Sequence, residues 1–209
     1  MPTVTRTQTQ RSLRTPASLA VLASKSVSAV TRSGTTATAT ATSHGFSIGD
    51  WVLIQGSNLP NYNGPFQVVT VADANTFTYT MEADPGASSA GTVTAQKGLA
   101  ASIWGNGTTV DGNLTVGALA TTDEAEAVVR IATTTAPTTA CRVTLFTSDS
   151  GLPGTWRERR SIDGTLVAND QSTHGLRVPF GKFALLLFWR VAGTAVIVDA
   201  IGNEITYGS

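Results

Sequence analysis

The chain has 209 residues, of which 41% are hydrophobic and only 13% charged, and its 14 basic and 14 acidic side chains leave a formal net charge of zero. The apolar share is enough for packed cores and excludes a disordered chain; the charge balance argues against a nucleic-acid-binding protein, which carries a basic face. Thr, Ser, Asn and Gly cover the surface in place of charge. They favour strands and turns over helices, and a surface so weakly charged resists association poorly, so much of it is expected to lie against other subunits.

A single cysteine, Cys141, allows no disulfide framework and no thiolate metal site within one chain. In C-R-V-T-L-F, alternation places Cys141, Val143 and Leu145 on one face, the pattern of a buried core thiol. No stretch reaches the ~18–20 apolar residues of a membrane span, and the apolar stretch Phe183 to Phe188 has the length of a strand. The arginines at 6, 11 and 14 followed by A-S-L-A-V-L-A loosely imitate a secretory signal, but the apolar part is too short for cleavage to be expected. The glycosylation sequons that begin at Asn106 and Asn113 matter only in a eukaryotic secretory pathway.

In chain order, residues 1–30 read as an N-terminal arm with a short ordered piece. Met1 to about Thr15 is polar, basic and aperiodic. It is either a frayed terminus or an extended arm that orders on a neighbouring subunit, where Arg6, Arg11 and Arg14 pair with carboxylates. From Pro16 the spacing of Leu19 and Leu22 fits a brief helix capped by Thr15, whereas S-V-S-A-V reverts to alternation, so the piece reads as a brief helix or a strand.

Residues 31–98 form a first domain of short strands. T-A-T-A-T-A-T at 36–42 alternates strictly, with Thr on one face and Ala on the other. Two turns, at Gly45 and at Gly49-Asp50, lead into the apolar run Trp51 to Ile54, too short for a helix. After the turn-rich N-L-P-N-Y-N-G-P come F-Q-V-V-T-V, a hairpin turn at Asp73-Ala74-Asn75, and T-F-T-Y-T-M, which sets Phe77, Tyr79 and Met81 on one face. A loop and the strand Thr92-Val93-Thr94 close the unit. Turn signals every 8–12 residues or so fit a small barrel or sandwich.

The series T-x-T-A-T-S-H-G-F-S-I-G-D-W-V-L-I-Q-G, then N-Y-N-G-P-F-Q-V, N-T-F-T-Y-T and A-G-T-V-T, resembles a small β-module that recurs in structural proteins of tailed bacteriophages, in tail, fibre and baseplate proteins and related virion components. The resemblance covers about a third of the chain, Thr31–Gly98, with four segments in the right order. It implies a virion setting and an assembly or spacer role, and it implies no catalytic residues.

Residues 99–122 read as a linker with Trp104 as its large anchor. The acidic cluster Asp123-Glu124-Ala125-Glu126 reads as a solvated turn, since a Ca²⁺ site would need a Gly-centred loop. Residues 123–209 contain about eight short strands, among them the wholly apolar run after Lys182, a buried central strand by pattern. The expected fold is all-β: a small N-terminal β-barrel-like module followed by an antiparallel, jelly-roll-like β-sandwich, with an extended N-terminal arm.

Two histidines, His44 and His174, each precede a glycine at a turn. The His44 ring is expected to hydrogen-bond locally, and no metal or cofactor is expected. No nucleophile elbow, phosphate loop or dinucleotide fingerprint occurs, and no carboxylate pair stands out among the acidic residues. The densest charge cluster, W-R-E-R-R at 156–160, reads as a charge-protected edge strand or as a docking patch, since Trp and Arg dominate interfaces. Trp156 with Tyr207 could also offer a sugar-stacking platform. The candidate interface residues are therefore Arg6, Arg11, Arg14, Trp156, Arg157 and Arg159.

These features point to a non-enzymatic structural component of a tailed-phage virion, a tail- or fibre-anchoring or head-decoration protein. Its expected partners are copies of itself, as a homotrimer, and other virion proteins. The alternative is a receptor-binding module that recognises bacterial surface glycan through the C-terminal sandwich.

Overall fold

The computed structural model describes residues 5–19, 23–100, 103–105, 108–110, 124–133, 139–166, 171–178, 183–192 and 196–208. Among them are seventeen strands and one 3-10 turn, Pro60–Tyr62, so the fold is all-β. The chain packs as two compact units that interleave in sequence. One comprises Leu22–Leu99 and Leu152–Arg157; the other comprises Met1–Val21, Ala100–Gly151 and Glu158–Ser209.

The first unit is a small antiparallel barrel. Two of its chain runs are bent: β2 (Lys25–Val27) continues into β3 (Ala29–Ser33) past Ser28, and β6 (Gly64–Gln67) continues into β7 (Thr70–Asp73) past Val68 and Val69. β2 pairs with β9 (Val93–Ala100), β9 with β5 (Trp51–Gln55), and β5 with β6. β7 pairs with β8 (Thr76–Thr80), β8 with β4 (Thr36–Thr40), and β4 with β3. Because each bent run pairs on both sides of its bend, the ladder closes into a ring of six segments and leaves no long open edge. Backbone bonds carry the ladder through the corners: Ser28 N–H donates to the Thr40 carbonyl at 2.8 Å, Val68 N–H to Asp50 at 2.9 Å, and Val69 N–H to Thr78 at 2.8 Å.

The alternation in the sequence decides what fills the barrel. Ala37, Ala39 and Ala41 point inward and are fully buried, as are Phe77 and Tyr79, with Met81 nearly so. The register sets Ala37 opposite Tyr79 and Ala39 opposite Phe77. Small side chains facing large ones let a narrow interior fill without overpacking. At the other end, Gly56 and Gly91 bring two loops into backbone contact. A Cβ at Gly56 would sit 2.0 Å from the Thr92 carbonyl, and one at Gly91 would sit 2.3 Å from the Gly56 carbonyl. The same loops exchange bonds between Asn58 and Ala90, at 2.9 Å through the backbone and 2.8 Å through Asn58 Oδ1.

The second unit holds two antiparallel sheets of sandwich type. In one, β1 (Thr5–Leu19) pairs with β17 (Val196–Gly208), β17 with β12 (Glu124–Thr133), and β12 with β15 (Gln171–Val178). The other runs β11 (Thr108–Val110), β10 (Ile103–Gly105), β16 (Phe183–Ala192), β13 (Thr139–Ser148) and β14 (Arg157–Leu166). Every residue from Phe183 to Trp189 is buried, as the apolar run predicts for a central strand. Val143 and Leu145 are buried beside it; the side chain of Cys141 lies outside the described ones.

Residues 5–19 take a form that local sequence left open. Thr5–Leu19 is one strand, and the helical spacing around Leu19 is not used. A helix of that length is marginal on its own, whereas β17 offers a long row of backbone partners. Pro16, which has no N–H to give a ladder, falls in a register shift between Arg14 and Ala17.

Candidate functional site

The turn S-H-G-F-S-I-G-D, part of the stretch that carries the resemblance, joins β4 to β5. Ser43 has φ of +49°, and its N–H donates to Asn75 Oδ1 at 2.9 Å. His44 follows and is 4% exposed. Its Nδ1 accepts the Phe46 N–H at 2.9 Å, the local bond the turn pattern predicts. The ring packs 5.1 Å from Phe46 and 5.2 Å from Phe77. Next, Ser47 to Asp50 reverses the chain: Asp50 N–H donates to the Ser47 carbonyl at 3.1 Å and Ser47 N–H to Asp50 Oδ2 at 2.8 Å. Lys97 Nζ lies 2.6 Å from the same Oδ2. At the tip of this turn Ile48 is 68% exposed, the most exposed large apolar side chain described.

β5 is buried on both faces. Val52 and Ile54 point into the barrel, while Trp51 and Leu53, on the outer face, are also buried. Part of the cover over Trp51 comes from Trp156, roughly a hundred residues away in sequence. Trp156 meets Trp51 edge-on with centroids 6.2 Å apart. Gly154, at φ +77°, lies so close to the chain that a Cβ there would stand 2.1 Å from the Glu82 nitrogen. Arg157 closes the segment by donating to the Gly154 carbonyl at 2.7 Å and by pairing with Glu82.

A cleft of about 180 Å³ opens beside this segment, lined by Pro60, Asn61, Asn63, Glu82, Gly154 and Arg157. Its polar groups are engaged in holding loops. The Asn63 amide clamps Ser57 through bonds of 3.0 and 2.8 Å, and Asn61 Nδ2 donates to the Ala83 carbonyl at 3.2 Å. The lining offers hydrogen-bond donors and acceptors, and these six residues include no nucleophile–base pair.

The W-R-E-R-R cluster divides by role. Trp156 is 2% exposed, so it presents no face to a sugar ring. Arg157, Glu158, Arg159 and Arg160 are exposed, and β14 pairs only with β13 among the described residues, which makes it a charged edge strand. On that edge Arg159 Nε donates to Thr147 Oγ1 at 2.7 Å, and Ser161 Oγ bridges Glu158 Oε1 at 2.7 Å and Thr144 Oγ1 at 2.8 Å. Arg6, Arg11 and Arg14 lie on β1 opposite Tyr207, Gly202 and Ala200. Their side chains, and those of Tyr207 and His174, are outside the described ones, as is Asp123 of the acidic cluster. Among the described residues no three His, Cys, Asp or Glu side chains gather as a metal site.

Sequence reasoning did not find the packing of Trp156 on Trp51. The one available signal was the outward-facing Trp51 and Leu53 in an otherwise alternating barrel, which require a cover. Comparison with known protein families and with curated proteins finds no match for this chain.

Proposed function

We propose that the chain is a non-enzymatic structural component of a tailed-bacteriophage virion, a tail- or fibre-anchoring or head-decoration protein that mediates subunit assembly as a homotrimer. One observation carries this reading: the four segments resembling the phage β-module supply most of β4, all of β5, β6 and β8 and the start of β9, and their distinctive residues hold the turns between them. His44 bonds Phe46, Asp50 ties Ser47 to Lys97, Asn63 clamps Ser57, and Gly91 seats the loop at Gly56. A module whose signature residues are committed to packing suits a spacer or an assembly unit. The low charge of the chain supports a surface that lies against copies or partners.

The test is the mass of the purified protein by light scattering, together with a density map of the particle that contains it. The expected results are a trimer in solution and density for this fold on the particle. A monomer at every concentration, joining no particle, overturns the reading. Specific binding to bacterial surface glycan would instead support the receptor-binding alternative.

A further inference from the structure

We infer that β1 is an exchangeable strand, which in the assembled protein pairs with β17 of a second copy of the chain. The inference rests on the assembly reading above and names the surface that makes the contact. β1 has fifteen residues, and β17 is its one registered partner among the described strands. It therefore stands at a sheet edge, on a backbone ladder that any copy of β17 supplies equally well.

The sequence of β1 gives little reason to prefer its own chain. Thr5 to Ser12 reads T-R-T-Q-T-Q-R-S, so neither face of the strand carries an apolar residue over those eight positions. Strands polar on both faces are weakly specified in pairing and prone to exchange between copies, because no buried face selects one partner or register. Two register shifts, around Ser12–Arg14 and Arg14–Ala17, further loosen the ladder. Exchange of an identical element creates an assembly from contacts the monomer already contains.

The register supplies the experiment. Thr7 lies opposite Thr206, and facing residues of an antiparallel pair lie within the span of a disulfide. Thr7→Cys and Thr206→Cys are introduced together in a Cys141→Ser background, and the full chain is oxidised after its assembly mass has been measured. Mixing isotopically heavy and light protein before assembly lets mass spectrometry tell links between chains from links within one. The expected product is a heavy–light disulfide as the main species, formed at concentrations where the assembly persists and lost on dilution to monomer before oxidation. An assembly with links only within chains overturns the exchange and leaves the assembly reading intact. A monomer with links within chains overturns both. Assembled protein that forms neither link shows that the two positions do not pair, and it overturns the exchange as well.

Discussion

Nδ1 of His44 accepts the backbone N–H of Phe46 at 2.9 Å, inside a turn where the ring is almost wholly buried. An acceptor at Nδ1 fixes the neutral tautomer with its proton on Nε2, and Nε2 has no partner in the described structure. Contacts with Phe46 and Phe77 hold the ring in place. His44→Ala is expected to destabilise the protein by about 2–4 kcal/mol, through a lost ring and a lost bond. His44→Asn, whose side-chain oxygen can accept the same N–H, should recover about 1 kcal/mol. Denaturant unfolding gives both values, and nitrogen chemical shifts of the ring should report the Nε2–H tautomer.

Burial pushes the phenol of Tyr79 well above its ordinary value, and nearby Tyr62 adds to the effect. The folded protein therefore keeps a proton that the unfolded chain releases from about pH 10 upward. There the unfolded state binds fewer protons, so stability falls as pH rises; below that range the contribution is present in full. Tyr79→Phe should flatten this alkaline slope. Near neutrality it should cost less than about 1 kcal/mol, because the hydroxyl makes only a 3.4 Å bond to the Tyr62 carbonyl. Urea unfolding of both proteins over a pH series checks the sign; an unchanged alkaline slope in the variant counts against Tyr79 as its source.

The barrel was largely legible because its strands alternate cleanly. T-A-T-A-T-A-T and T-F-T-Y-T-M each announce a strand and its inner face, and the inner residues are those found buried. Phe183 to Trp189 was legible as a central strand for a related reason, an apolar run with no polar face. Two features were not. The bends at Ser28 and at Val68–Val69, which close the ring, depend on hydrogen bonds to distant strands and leave no periodic mark. The pairing of Thr5 with Gly208 joins the two ends of the chain, a contact that local propensity cannot anticipate. At the candidate site, the His44 bond spans two residues and could be read, whereas the seat of Trp156 on Trp51 spans about a hundred.

Asp50 serves two partners through one oxygen, accepting from Ser47 at 2.8 Å and facing Lys97 at 2.6 Å. Its side chain is 17% exposed and that of Lys97 30%, so the ion pair is only partly screened by water. Lys97→Met removes the pair alone and should cost about 1 kcal/mol. Asp50→Asn keeps an acceptor for the turn and should cost a similar amount, while Asp50→Ala should cost about 2 kcal/mol. Added salt should weaken the wild type more than Lys97→Met. A double-mutant cycle with no coupling between the two positions would assign the cost of Asp50→Ala to the turn alone.

Leu152–Arg157 combines three contacts of different kinds, so single substitutions along it should separate by magnitude. Trp156 is buried edge-on against Trp51, and truncation to Ala opens a large cavity for which about 3–5 kcal/mol is expected. Gly154→Ala meets backbone, not a movable side chain, with its new carbon 2.1 Å from the Glu82 nitrogen in a left-handed conformation. That strain should cost at least about 1–3 kcal/mol. Arg157 and Glu82 form an exposed pair, 59% and 49% accessible, so Arg157→Ala should cost under about 1 kcal/mol. If Trp156 acts by covering Trp51, the loss should appear as reduced stability in chemical denaturation and as a red shift of tryptophan emission when Trp51 meets water. Trp156→Phe should restore part of both, since a smaller ring still covers some of the indole. If Trp156→Ala left stability unchanged and removed only binding to a partner, the segment would be a docking surface and not a cover.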